Sequence, residues 1–145
     1  MVKLNGKCLC GLVAYQYQGK VGQVVNCHCS ECRQWHGAAF RTRVVGEKKG
    51  FRWQSGKESV AYFEGLSNAI KTFCKACGSN LVSFYKKDNS LVGIPLGGVE
   101  GAGDLKPDYH IFVNNKAQWF DITDDLPQYD ELPPDKSIIH CVNRD

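Results

Sequence analysis

Seven of the eight cysteines in this chain of 145 residues are gathered into three tight groups. The groups are a C-x-C pair in GKCLCG, a triplet in CHCSEC and a C-x-x-C pair in CKACG. The amino terminus lacks the apolar run of a secretory signal, so we expect a cytoplasmic protein whose thiols stay reduced. In that compartment, closely spaced cysteines favour a metal site or a reaction over a disulfide framework.

The two pairs together supply four thiolates, which is the ligand set of a closed tetrahedral zinc site. We therefore predict a structural zinc ion on Cys8, Cys10, Cys74 and Cys77, the cysteine quartet. A C-x-C pair in an extended segment points both side chains to one face, and Gly78 lets the chain leave the C-x-x-C turn with a positive φ. The alternatives are two unrelated pairs or a thioredoxin-like redox motif. The redox motif is disfavoured because a strand-like segment, and not a helix, follows the second pair.

The triplet of Cys27, Cys29 and Cys32, the cysteine trio, offers three thiolates from one short segment. Three protein ligands leave one zinc position for water or substrate, which is the usual arrangement in catalytic sites. Ser30 is a good helix N-cap, and a helix that begins there favours the ionised form of nearby thiols. We predict a second, open zinc site on the trio, whose cysteines are also the candidate catalytic residues, and hence two Zn²⁺ ions per chain.

A closed second site is the competing interpretation, in which a further side chain completes the trio. The candidates for this fourth ligand are His28, His36 and Cys141. His28 lies between two ligand cysteines and in an extended segment points away from the metal, which suits packing or support better than coordination. We interpret Cys141 as a bystander thiol. His36 and His110 have the chemistry to serve a pocket, but isolated histidines are weak signals.

Valine, aromatic residues and alternating polar residues make most of the chain strand-like, with glycine at the turns. The predicted strands span residues 13–18, 23–27, 40–45, 59–63, 70–73, 81–85, 91–96 and 110–114. One short helix begins at Ser30 and is ended by Gly37, and proline and acidic residues from Leu126 onward predict an extended segment lying on the domain. We expect one mainly β domain over residues 1–145, with a core at 6–133, a tail at 134–145, and zinc that stabilises the short strands.

The formal net charge is only +3, from 18 basic and 15 acidic side chains. So small an excess of positive charge does not indicate a nucleic-acid partner. The sequence contains no apolar stretch long enough to span a bilayer, so we expect no membrane partner either.

Four segments, GKCLCGLVAY, CHCSECRQWHGAAF, FCKACGSNL and YHIFVNNKAQWFDITDDLPQYDELP, span most of the chain between Gly6 and Pro133. Together they resemble the glutathione-dependent formaldehyde-activating enzyme family, which also contains centromere protein V, and the chain is similar to a short, generic member. The resemblance implies a β-tent of packed antiparallel sheets with one or two short helical turns. It also implies a structural zinc on the residues of the quartet and a second zinc, where the carbon–sulfur chemistry takes place, on those of the trio.

The activity that the resemblance implies is the reversible addition of glutathione to formaldehyde, which gives S-hydroxymethylglutathione. We therefore expect a zinc-dependent carbon–sulfur lyase whose partners are a small thiol, glutathione or a similar one, and formaldehyde or another small aldehyde. The alternative is a zinc-stabilised binding module without chemistry, in the manner of centromere protein V. A third interpretation makes the trio a redox or metal-sensing switch, because exposed thiolates oxidise readily.

Overall fold

The computed structural model describes residues 1–134, which form two β-sheets and one α-helix. The elements are β1 Val2–Lys7, β2 Ala14–Gly19, β3 Val25–Cys27, α1 Ser30–His36, β4 Arg41–Glu47, β5 Phe51–Ser55, β6 Val60–Glu64, β7 Ala69–Cys74, β8 Asn80–Tyr85, β9 Leu91–Pro95, β10 Val99–Glu100 and β11 Tyr109–Ile111. Short 3-10 turns lie between several of them. Within these 134 residues, no helix combines the length and the apolar character that crossing a membrane requires.

The first sheet has four strands in the order β10-β1-β2-β5, and the second has seven in the order β11-β3-β4-β9-β8-β7-β6. Neighbouring strands run antiparallel except β11 and β3, which are parallel. The predicted mainly β fold of packed sheets is therefore confirmed. The parallel pair has a consequence for function, because it places Ile111 beside Cys27 although the two are far apart in sequence.

All eight predicted strands have a counterpart, but sequence reasoning missed β1, β5 and β10. The sequence of β1, VKLNGK, mixes two lysines, an asparagine and a glycine with few strand-forming residues, so its pairing with β2 supplies what its composition does not. The last predicted strand was too long. It ends at Ile111 because Phe112 has a φ of 54°, and a 3-10 turn follows at Val113–Asn115.

The main core lies between the two sheets. Leu4 and Tyr17 from the first sheet and Val44, Val92 and Ile94 from the second are at most 1% exposed and belong to one apolar cluster. Burying an aliphatic side chain of this size contributes about 1.5–3 kcal/mol. A smaller apolar cluster around β3 and β11 includes Cys27, and Cys29 and Cys32 pack against it.

Tyr17 lies at a point where the sheets approach too closely for an opposing side chain. An ideal Cβ built on Gly46 of β4 would lie 2.4 Å from the Tyr17 ring and from its hydroxyl oxygen. That hydroxyl donates to the carbonyl of Lys20 and accepts from the N–H of Glu47 at 3.2 Å. The missing side chain at Gly46 is therefore what allows the ring to sit between the sheets.

The segment that follows Leu126 runs along β11, in agreement with the expectation of an extended segment on the domain. The N–H of His110 donates to the carbonyl of Pro127 at 2.9 Å, and the N–H of Tyr129 donates to the carbonyl of His110 at 3.0 Å. The division into a core at 6–133 and a tail at 134–145 stays a prediction, because residues 135–145 lie outside the described part.

We predict that Gly46→Ala lowers the free energy of unfolding by about 1–3 kcal/mol, the usual cost of overpacking a filled core. Gly97→Ala is the matched control, because a Cβ at Gly97 meets nothing within 4 Å and should change that free energy by less than about 0.5 kcal/mol. Urea denaturation of the metal-loaded proteins measures both values. Equal stabilities for the two variants would show that Tyr17 does not need the space above Gly46.

Candidate metal centres

The cysteine quartet joins two turns. Cys8 and Cys10 lie in the connection between β1 and β2, whereas Cys74 ends β7 and Cys77 lies in the turn before β8. The four sulfur atoms lie within 4.8 Å of one another, and Sγ of Cys10 is 3.5 Å from that of Cys8 and 3.9 Å from that of Cys74. Thiolates at tetrahedral corners around one zinc ion, with the usual Zn–S bond, would be about 3.8 Å apart. The spacing and the donor set both fit zinc.

Hydrogen bonds already orient several of these sulfur atoms. Sγ of Cys8 accepts the N–H of Val13 at 3.2 Å, and Sγ of Cys77 lies 3.2 Å from the hydroxyl oxygen of Ser79. The Ser79 hydroxyl, followed by backbone N–H groups, lowers the pKa of Cys77 to about 5. The same hydroxyl oxygen accepts the N–H of Leu9 at 2.8 Å, so Ser79 connects the two turns and favours the thiolate that a metal requires.

The local geometry of the two turns agrees with the sequence in one case and differs in the other. Gly78 has a φ of 74°, as predicted for the exit from the C-x-x-C turn. The C-x-C pair is not extended: the N–H of Gly11 donates to the carbonyl of Cys8 at 3.0 Å and closes a turn. The extended segment assumed for this pair was therefore wrong, because the β1–β2 connection must reverse the chain within a few residues.

The cysteine trio lies where β3 passes into α1. Cys27 is the last residue of β3, Cys29 is the N-cap of the helix and Cys32 lies in its first turn, so that all three sulfur atoms lie within 4.8 Å of one another. The predicted N-cap, Ser30, is instead the first helical residue, because Sγ of Cys29 takes over the cap by accepting the N–H of Cys32 at 3.3 Å. Gly37, the predicted end of the helix, is its C-cap and has a φ of 58°.

The three thiols of the trio do not ionise alike. Hydrogen bonds from Cys27 and then Cys32, together with backbone N–H groups, lower the pKa of Cys29 to about 2. The pKa of Cys27 is raised, first by its hydrogen bonds with Cys29 and Cys32 and then by burial. A cation that replaces the protons of these thiols would be bound by three sulfur atoms.

Within residues 1–134, no histidine, carboxylate or fourth cysteine lies within 4.8 Å of all three trio sulfurs. His28 and His36, two of the three side chains considered for closing the site, therefore do not join the cluster. Cys141, the third, lies outside the described residues. In the described part of the chain the trio is an incomplete ligand set, as expected for a site with an open position.

His28 instead begins a buried hydrogen-bonded chain. Its Nε2 lies 2.8 Å from Nδ1 of His110, whose Nε2 lies 3.0 Å from a carboxylate oxygen of Asp124. Both histidines are at most 1% exposed. Because a carboxylate only accepts, His110 donates through Nε2, and where its Nδ1 is the acceptor His28 donates through Nε2. That arrangement fixes the tautomer of His28 and leaves a lone pair on its Nδ1.

The surroundings of His28 keep that ring neutral. Its ring centroid is 5.0 Å from that of Phe40 and 6.2 Å from that of Phe120, and its Nδ1 is buried without a hydrogen-bond partner. Burial, followed by the electrostatic effects of His110 and Lys116, lowers the pKa of His28 to about 4. His28 does not join the sulfur atoms of the trio, and its role beside a bound metal stays a prediction. Asp124 carried no signal, because it is one of several acidic residues in a polar stretch.

Two buried cations flank Trp35 on the inner side of α1. Arg41 is 4% exposed and its guanidinium carbon lies 4.7 Å from the Trp35 ring centroid, while Nζ of Lys71 lies 5.5 Å from it. Nζ of Lys71 also pairs with a carboxylate oxygen of Glu31 at 2.7 Å. Arg41 is the partner of Cys27 across the β3–β4 ladder, so a positive charge adjoins the trio. Sequence reasoning missed this role of Arg41.

The fold and the sulfur clusters together define a class of small, mainly β protein with one cluster of four cysteines and one cluster of three. The profile of the glutathione-dependent formaldehyde-activating enzyme family matches residues 3–115, and the chain belongs to that family. The chain is 24% identical over 139 residues to an uncharacterized lyase of Schizosaccharomyces pombe, covering 96% of this chain and 99% of that protein.

A solved structure has the same fold. A protein of Rhodobacter sphaeroides superposes with a TM-score of 0.56 at 22% sequence identity, covering 67% of this chain and 88% of the other. This similarity supports the architecture of two packed sheets and says nothing of activity.

We predict that His110→Leu lowers the free energy of unfolding by about 1–3 kcal/mol, because it leaves His28 buried without a partner. Asp124→Asn is the comparison, and we expect a smaller loss, since its amide oxygen still accepts from His110 and the side chain is 46% exposed. Chemical denaturation at neutral pH, with the metal content held equal, measures both. A loss for Asp124→Asn that equals that of His110→Leu would contradict this ranking.

Proposed function

We propose that this chain is a zinc-dependent enzyme of the carbon–sulfur lyase type. It would add a thiol, glutathione or a related compound, reversibly to formaldehyde or another small aldehyde. The observation that carries the proposal is the trio, whose three sulfur atoms gather within 4.8 Å and have no fourth ligand among the described residues. Membership of the family and the description of the yeast relative as a lyase support it.

The two sulfur clusters would have different roles. The quartet, with four donors, would hold a zinc ion that stabilises the fold, and the trio would hold the second ion. Zinc bound by the trio supplies a Lewis acid that favours the thiolate form of a coordinated thiol and polarises a carbonyl group. The protein contributes the geometry through Cys27, Cys29 and Cys32, and it contributes positive charge beside them through Arg41.

The reaction needs no oxidant or reductant. The thiol loses its proton, its sulfur forms a bond to the carbonyl carbon, and the π electrons of the carbonyl group move to oxygen, which takes up a proton. The reverse reaction breaks the carbon–sulfur bond and returns the thiol and the aldehyde. Preorganised positive charge would stabilise the anionic species on this path, and a zinc ion held by the trio would supply it.

We predict two zinc ions in the wild-type protein and one in Cys29→Ser, counted by native mass spectrometry. Cys29→Ser should keep its fold but lose thiol–aldehyde turnover to the uncatalysed background, because the trio no longer holds its ion. Cys10→Ser should lose the other ion and melt about 10 °C lower or more, since structural zinc contributes directly to folding. The turnover of a thiol and formaldehyde is followed by exchange NMR.

Cys141→Ser is the control for a closed second site, and we expect it to keep both ions and full turnover. If this variant loses the second ion, the trio is completed by Cys141 and is not open. Full turnover in Cys29→Ser would refute the catalytic role of the trio and favour a binding module. An unchanged melting temperature in Cys10→Ser would refute the structural role of the quartet.

A further inference from the structure

Arg41 is a buried cation without a carboxylate partner among residues 1–134. One guanidinium nitrogen, Nη2, donates to the hydroxyl oxygen of Ser83 at 3.2 Å and to the carbonyl of Gly93 at 3.3 Å. Its Nε is buried and has no hydrogen-bond partner. Burying a charge costs free energy unless the charge is paired and hydrogen-bonded. The unpaired Nε–H of Arg41 therefore indicates that its acceptor belongs to a bound ligand.

Arg41 lines a cavity of about 510 Å³. Its wall includes Leu9 and Ser79, from the two turns of the quartet, and His36 and Phe40, which follow the trio in the chain. A volume of this size suits a small-molecule ligand. The wall contains two cations, the exposed Lys7 and the buried Arg41.

The electrostatics around Arg41 favour an anion. Nε2 of His36, which also lines the cavity, is buried without a partner. Burial first, and then the charges of Arg41 and Lys71, lower the pKa of His36 to about 4, so the ring is neutral and free to donate one hydrogen bond. Glu31 neutralises Lys71 at 2.7 Å, whereas no carboxylate among the described residues neutralises Arg41.

The position of Arg41 relative to the trio limits the ligand further. Arg41 and Cys27 are partners in the antiparallel β3–β4 ladder, so their side chains leave the same face of the sheet. The Cβ atoms of such a pair are about 5 Å apart. If the sulfur of a ligand lies at the trio, a group a few bonds away from that sulfur would therefore lie near the guanidinium of Arg41. A carboxylate matches the planar, forked donors of arginine.

We infer that Arg41, assisted by His36, forms a subsite for the carboxylate of the thiol substrate. The inference rests on the proposed function and narrows it to thiols that carry a carboxylate within a short carbon chain of the sulfur. Arg41 is a binding residue in this account, and the cysteines of the trio hold the reacting end of the substrate.

The kinetic test compares 3-mercaptopropionate with 2-mercaptoethanol, each with formaldehyde, by exchange NMR on the zinc-loaded protein. We expect the wild type to prefer the carboxylate thiol by at least about tenfold in kcat/KM, as hydrogen bonds to a charged group allow. Arg41→Met should abolish this preference, and Arg41→Lys, which keeps the charge but not the fork, should restore part of it. Arg52→Met, at an exposed arginine on β5, should keep the wild-type preference.

A binding test decides the subsite even if no turnover is seen. The Nε–H resonance of Arg41 in the zinc-loaded protein is followed while 3-(methylthio)propionate, an unreactive thioether, is added, with 2-(methylthio)ethanol as the uncharged control. A shift of the Nε–H resonance with 3-(methylthio)propionate but not with 2-(methylthio)ethanol supports the subsite. If Arg41→Met fails to fold, His36→Phe replaces it, and loss of the shift in His36→Phe also supports the subsite. No shift, or turnover of both thiols at equal kcat/KM, overturns the subsite and leaves the proposed function standing. If neither thiol nor glutathione is turned over, the proposed function is refuted, and the Nε–H shift then decides the subsite alone.

Discussion

The crowding of four sulfur atoms at one point is the constraint from which the rest of the structure follows. The quartet joins the β1–β2 turn of the first sheet to the β7–β8 turn of the second, although these turns are far apart in sequence. Sulfur atoms of the quartet lie 3.5–3.9 Å apart, and a cation bound by four thiolates would close a long loop of the chain. Fixing this corner sets how the two sheets face each other, and Tyr17 fills the space above Gly46 once they do.

The second cluster depends on a different part of the same frame. β3 contributes Cys27 and lies between β4, which carries Arg41, and β11, whose His110 holds His28. The trio is therefore supported from both sides of β3, by Arg41 on one side and by the hydrogen-bonded chain of His28, His110 and Asp124 on the other. This support fixes the directions in which the side chains of the CHC segment point, as partners of metal ligands commonly do.

The sequence could predict the sulfur clusters because cysteine spacing is a local signal with a strong chemical preference. The helix end at Gly37 and the positive φ of Gly78 followed from the same kind of local rule. Arg41 could not be predicted as a neighbour of the trio, nor Asp124 as the partner of His110, because their placement depends on strand register and on the pairing of distant segments. β1 was missed for a related reason: its residues are poor strand formers, and its partners β2 and β10 determine its conformation.

Zinc K-edge X-ray absorption of the zinc-loaded protein in solution tests most directly whether seven cysteines form one complete and one incomplete ligand set. Seven sulfur atoms shared by two ions give about 3.5 sulfur ligands per zinc near the usual Zn–S distance, with a lighter atom completing the average. Saturating the protein with 3-mercaptopropionate should raise this value to about 4. A value of 4 before the thiol is added, or a value that the thiol does not change, would contradict the open site on which the function depends.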